Sequence, residues 1–323
     1  MQSTLIRKGL DDRLWQWVFG SADYMRLHPP VALRLKIAAR FPAQWLAPTS
    51  CEAPIFVVGC PRSGTTLLFS ILHRSPHLSS FRQESHWVWE FMHPPRYRND
   101  YSQVLCAEDL TPRSQRFIRA CYGAAFGRQR FVDKCPTNSL RIGAIKRVFP
   151  DAKIVCLMRN GPDNVSSLID TWLSTDRFTG FDVPETLNIA EYGRQKWVHL
   201  LQPGWQAYTQ RPIEEVCAHQ WTTVNRKLRQ AKEHINDKDW VDVRYESMLK
   251  EPSSTIARLF DKLDVPLDEE VENYVGSLSD NVVNTSTQPG IGKWRRRNPE
   301  RIGRAMDTLV PVMERLGYDQ SFR

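Results

Sequence analysis

The segment 54–68, PIFVVGCPRSGTTLL, sets Gly59 and Gly64 five positions apart after an apolar run and follows them with Thr65 and Thr66. G-x-x-x-x-G is the spacing of a phosphate loop. A strand, a tight turn and a helix start aim backbone N–H groups and the positive end of the helix at an anion, and the Thr hydroxyls add donors. The lysine that a nucleotide hydrolase keeps after its second glycine is missing, and the positive charge sits inside the loop at Arg62. The next apolar run, KIVCLM, leads to Arg159 rather than to an acidic residue, so little is offered to the metal of a Mg²⁺-triphosphate. An anion without a metal, gripped by Arg and N–H groups, fits better. A plain turn at PRSG is the alternative.

Arg159 and Ser167 form a second candidate pair. A guanidinium at the C-terminal end of a strand can grip a phosphate bidentately, and a serine eight residues on, in the following helix, adds a hydrogen bond. Taken alone, this stretch would read as a surface arginine and an ordinary helix serine.

Together these stretches resemble the sulfotransferases that use 3′-phosphoadenosine 5′-phosphosulfate (PAPS). PRSGTTLL is similar to their 5′-phosphosulfate loop and KIVCLMRNGPDNVSSL to their 3′-phosphate signature. FVDKCPTNSLRIGAIKRVFP, VDVRYESMLKEPSSTIARLF and GKWRRRNPERIGRAM resemble later segments in the family's order. The resemblance covers roughly residues 54–316 and is strongest toward the tyrosylprotein sulfotransferases and their bacterial relatives. It implies a P-loop-type three-layer α/β fold with a central parallel sheet flanked by helices. PAPS would be the sulfonate donor and 3′-phosphoadenosine 5′-phosphate (PAP) the product, with no metal and in-line transfer to a hydroxyl.

Carried over residue by residue, the resemblance gives Arg62, Ser63, Gly64, Thr65 and Thr66 to the 5′-phosphosulfate and Arg159 and Ser167 to the 3′-phosphate. Arg62 and Lys134 would neutralise the sulfonate; a surface Lys134 paired with Asp133 is the alternative. Glu84 is the expected base. His86 stays beside it as a candidate, because the spacing from Arg62 needs a one-residue shift against the tyrosylprotein enzymes. Tyr245 matches a nucleotide-contacting tyrosine, or else it is core. Lys293, Trp294 and Arg295 begin a basic run that either closes over the 3′-phosphate and adenine or is simply solvated.

Two positions depart from the tyrosylprotein pattern. Thr171 stands where a further nucleotide-binding Arg is expected, and Gly292 where a catalytic Ser is, with Ser286 or Thr287 as substitutes from the same loop. Both weigh against a peptide tyrosine as acceptor. The expected acceptor is the hydroxyl of a small molecule, glycolipid or saccharide, and Trp87, Trp89, Trp172 and Trp294 offer either faces for it or core. The rival readings are a PAPS-binding protein without catalysis, a P-loop nucleotide kinase and a nucleic-acid-binding module. The absent lysine argues against the kinase, and the lack of a recognition motif against nucleic acid.

The elements that must position these residues follow from periodicity. Strands are expected at 55–58, 151–160 and 240–246, and helices at 65–74, over GAIKRVFP, and across 188–235, 254–263 and 301–316. Short apolar strands alternating with longer helical stretches indicate α/β architecture around a parallel sheet. Segments 172–195 and 276–298 read as loops over a site. Residues 1–50 read as an amphipathic helical extension, broken by Pro29-Pro30 and packed on the core, with membrane-surface docking or homodimerisation as alternatives; 51–323 is then the sulfotransferase domain.

With 323 residues, 41% hydrophobic and 25% charged, the chain has a globular composition, and its net charge of +8 favours an anionic partner. Seven cysteines with no C-x-x-C or Cys/His cluster argue against zinc and for reduced thiols in the cytoplasm. No signal peptide and no run of ~20 apolar residues is evident.

Overall fold

The computed structural model describes residues 31–174, 180–278, 290–319 and 322. Four strands, β1 (Ile55–Val58), β2 (Val132–Lys134), β3 (Lys153–Met158) and β6 (Trp240–Arg244), form a parallel sheet in the order β2-β1-β3-β6. β1 is buried at every position, which is why IFVV carries no polar alternation. A separate antiparallel pair joins β4 (Phe181–Asp182) to β5 (Lys196–Trp197).

Helices cover both faces of the sheet. On one side α2 (Thr65–Leu72), α9 (Pro252–Lys262) and α10 (Glu269–Gly276) enclose a core with Val57, Leu68, Val155, Val243 and Phe260. On the other, α4 (Pro112–Phe126), α5 (Ile142–Val148), α6 (Gly161–Leu173), α7 (Ile213–Lys232) and α12 (Pro299–Arg315) pack over Phe56, Ile154 and Cys156. Short helices α3 (His86–Glu90), α8 (Tyr245–Lys250) and α11 (Trp294–Arg297) lie close to the strand ends or the loops after them. This is the α/β architecture around a parallel sheet that the pattern predicts, in the three layers that the resemblance implies.

α1 (Val31–Leu46) packs on α4 and places Ile37, fully buried, in the larger core, with Phe41 5.6 Å from Phe117 between ring centroids. Its Leu35 and Leu46 remain exposed. The expected helices before Pro29-Pro30 lie outside the described residues.

Some boundaries differ from expectation. Helix fills only Ile213–Lys232 of the 188–235 stretch. Gly193 and Gly204 adopt left-handed backbone, and Pro203 and Pro212 interrupt any helix before α7. That irregular segment is pinned instead by the buried Trp197 and Trp205, whose rings lie 5.2 Å apart. The loop expected at 172–195 begins later, because α6 continues to Leu173, and that expected at 276–298 contains α11; residues 175–179 and 279–289 lie outside the described residues. β2 and α4 went unpredicted. β2 is three residues long with charged Asp133 and Lys134, so no hydrophobic pattern marks it.

Candidate active site

β1 ends at the loop 59–64, and α2 begins at Thr65, so the loop's N–H groups gather at a helix start, in accord with the spacing. Gly64 has φ 101°, and a Cβ there would stand 2.6 Å from Cδ2 of Tyr245. Both the backbone and the neighbouring ring demand glycine. Ser139 clamps the base of the loop, accepting from Gly59 N–H at 2.9 Å and donating to Gly59 C=O at 2.9 Å. The Asn164 amide donates to Pro61 C=O at 2.8 Å. Arg62 occupies left-handed space at φ 69°, and its Nε donates to Ser167 Oγ at 3.4 Å.

Arg159 follows β3 and is buried. Its Nη1 donates to the Arg62 carbonyl at 2.9 Å, and its guanidinium lies 4.5 Å from the Tyr245 ring centroid. Behind it, Glu246 Oε1 accepts from the Asn160 backbone and side chain at 2.9 and 2.8 Å, which fixes the turn into α6. Among the described residues, Ser63 Oγ and Arg159 Nε of this cradle are buried and make no hydrogen bond, and neither does Asn164 Oδ1 beside them. Unpartnered donors beside a helix start are what an anionic ligand would satisfy.

α6 presents residues four apart to the site. Asp163 accepts from Gly292 N–H at 2.7 Å and Trp294 N–H at 3.2 Å, Ser167 meets Arg62, and Thr171 Oγ1 lies 2.6 Å from His199 Nε2. Thr171 also donates to the Leu168 carbonyl at 2.8 Å. A carbonyl can only accept and the hydroxyl has one proton, so His199 is the donor and carries its proton on Nε2. The ring stays neutral: burial and the nearby charge of Arg62 push its pKa down to about 3, against a smaller opposing effect of Glu84.

The second half of the site is tied to the loop through β2, where Lys134 pairs in register with Val57, and through His199, which feels the charges of both Arg62 and Glu84. Lys134, at the end of β2, is buried and holds Glu84 Oε1 at 2.6 Å, while Glu84 Oε2 meets His86 Nε2 at 3.1 Å. His86 Nδ1 continues to Glu90 at 3.2 Å, and Glu90 is held by Arg141 and Gln103 at 3.4 and 3.1 Å. Burial opposes ionisation of Glu84, but Lys134 and then His86 outweigh it and hold the carboxyl well below the usual range. Burial likewise opposes protonation of His86 and is overcome by Cys135, Glu90 and Glu84, so its pKa is raised well above the ordinary value. Asp133 does not pair with Lys134; it accepts from Ser85, Tyr122 and Asn138.

Lys293, Trp294 and Arg295 border the cradle. Lys293 is partly buried, and burial with the charges of Arg297 and Arg159 lowers its pKa. The Arg295 guanidinium lies 4.7 Å from the Trp294 ring centroid. Gly292 has φ 74°, so a serine in its place would be strained, which gives a physical reason for the departure noted in the sequence. Ser286 and Thr287 lie outside the described residues. Trp87, Trp89 and Trp172 are core side chains, which removes three of the four candidate acceptor faces; Trp294 is partly buried. Among the described residues no group of His, Cys, Asp and Glu has metal-binding geometry.

Sequence reasoning missed Ser139, Glu90 and His199. Ser139 lies inside a stretch already singled out and Glu90 directly after Trp89, yet only contacts with other segments reveal their part. His199 had no local signal at all.

A parallel sheet whose strand ends deliver a glycine loop, a buried arginine and a carboxylate–lysine pair defines a P-loop fold. The sulfotransferase family model matches residues 54–269, and the chain belongs to that family; it is a transferase. Protein-tyrosine sulfotransferase A of Caenorhabditis elegans is 25% identical over 292 residues, covering 82% of this chain and 67% of that protein. The protein-tyrosine sulfotransferase of Drosophila melanogaster is 23% identical, and this chain spans 51% of its length. Omega-hydroxy-beta-dihydromenaquinone-9 sulfotransferase Stf3 of Mycobacterium tuberculosis is 24% identical over 270 residues, covering 66% of this chain and 63% of that protein. Sulfotransferase STF9 from Mycobacterium avium shares the fold, with a TM-score of 0.54, 15% identity, and 90% and 84% of the two chains covered.

Proposed function

We propose that this chain transfers a sulfonate group from PAPS to a hydroxyl of a small-molecule, glycolipid or saccharide acceptor. The observation that carries the reading is the Glu84–Lys134 pair together with a cradle whose Ser63 Oγ and Arg159 Nε lack partners among the described residues. PAPS, when bound, supplies an activated sulfonate on a nucleotide leaving group. Arg62, Ser63, Gly64, Thr65 and Thr66 would hold its 5′ end and Arg159 and Ser167 its 3′-phosphate, with Tyr245 and Lys293 at the border.

Glu84 takes the proton of the acceptor hydroxyl at a carboxylate oxygen. Its ion pair keeps it ionised near neutral pH, and it becomes more basic as Lys134 is drawn away toward a competing anion. Arg62 and Lys134 supply the cations that charge on the transferring group requires. His86, itself tied to Glu90, orients the base rather than replacing it. Some relatives are named for tyrosine in proteins and others for a menaquinone. With His199 bonded to Thr171 and Gly292 in place of serine, the site lacks two groups expected of a peptide-tyrosine enzyme, which favours a non-peptide acceptor. Seven cysteines with no disulfide among them suit a reducing, cytoplasmic setting.

Thermal stabilisation by PAP, compared with ATP–Mg²⁺ and 5′-AMP, tests the donor. Preference for PAP, lost in Arg159→Ala, is expected; a response to ATP–Mg²⁺ alone overturns the reading. A panel of sugar, phenol, steroid and lipid alcohols with radiolabelled PAPS then tests transfer.

A further inference from the structure

The sheet has an open edge at β6, and none of the site residues described above lines the groove beside it. β6 pairs with β3 on one side, and no described strand lies on its other side. A groove of about 600 Å³ runs there. It opens between the two helix layers: Cys156 and Trp240 belong to the core under α7, and Val243 and Leu259 to the core under α9. A sheet edge between two covering layers offers a ladder of backbone groups one strand wide, with apolar walls on either side.

Its rim is basic. Arg229 and Lys232 come from α7, Arg258 and Lys262 from α9, and Arg315 from the end of α12. Lys232 is paired with Asp242, while the other four are exposed and make no ion pair among the described residues. Rims of the same sign repel, so two copies of this chain are poorly suited to meet edge to edge. A carboxylate-rich strand is the complementary occupant. Side chains of an added strand point alternately toward α7 and α9, and both sides carry cations, so acidic residues are favoured at odd and even positions alike.

We propose that the free edge of β6 docks an extended acidic peptide segment of a partner protein, which joins the sheet as a further strand and sets its carboxylates against Arg229, Arg258, Lys262 and Arg315. This surface is separate from the anion cradle and does not depend on what the cradle binds.

Fluorescence polarisation of a labelled Glu-Glu-Val-Glu-Glu-Val peptide with the full chain at physiological salt tests it. The peptide should bind, and Arg258→Glu/Lys262→Glu should weaken it at least tenfold while the melting temperature stays unchanged. The charge-matched variant Arg113→Glu/Arg116→Glu, on α4, should bind as the parent does. A peptide methylated on alternate backbone nitrogens should lose binding, since it keeps the charge and cannot complete the ladder. Absence of binding, equal loss in both double variants, or full binding of the methylated peptide would each overturn the proposal.

Discussion

The two halves of the site are assembled differently. The anion cradle draws Gly59 to Thr66 from one turn of chain and is shaped by backbone: left-handed Arg62 and Gly64, a Ser139 clamp on Gly59, and the Tyr245 ring against Gly64. The facing half has no such loop. Glu84, His86, Glu90, Lys134 and Arg141 come from α3, β2 and the segments around them, and charge holds them together. One half is therefore specified by conformation and the other by electrostatics. Perturbations of backbone should strike the first, and perturbations of charge or pH the second.

The widest separation is expected from Glu84→Gln. It removes the proposed proton acceptor, so single-turnover transfer should fall by ~10²–10⁴-fold, while calorimetric PAP affinity stays as in the parent. Equal loss of both would erase the division between the halves. Gly64→Ala attacks the conformational half. A Cβ 2.6 Å from Tyr245, at φ 101°, should cost about 1–3 kcal/mol of stability by denaturant melts and abolish PAP binding.

pH sharpens the contrast. His86 has a folded pKa raised above its ordinary 6.5, so the stability it contributes is fully present below about pH 6.5 and is lost as pH rises through the folded value. The stability advantage of the parent over His86→Gln should therefore shrink in alkaline melts, whereas the deficit of Gly64→Ala should show no such trend. Gly292→Ser is the smallest test. Strain at φ 74° should cost about 1 kcal/mol with transfer otherwise retained; a gain in transfer rate would instead mean that serine chemistry is missing here.

The conformational half was largely legible in the sequence, because a phosphate loop is local: two glycines, an arginine and two threonines announce it before any contact is known. The parallel sheet was legible for the same reason in IFVV, KIVCLM and WVDV. The electrostatic half was legible only through resemblance. Nothing near Glu84 states that Lys134, fifty residues away, will be its partner, and the neighbouring Asp133 stood as the alternative partner for that lysine. His199 was invisible, since its relation to Thr171 depends on an irregular segment whose helical periodicity was misleading. The tryptophans were left open between acceptor faces and core, and burial decides for core at Trp87, Trp89 and Trp172.

The four-residue rhythm of Asp163, Ser167 and Thr171 along α6 makes that helix intolerant of changes in length. Asp163 holds the segment at 292–294, Ser167 meets the loop and Thr171 receives His199. Each residue of an α-helix advances the direction of its side chains by about 100°. A single-residue deletion between Asp163 and Thr171 would swing one contact out of line with the others, although every chemical group remained in the chain. Substitutions along this helix can drift one at a time; its register cannot.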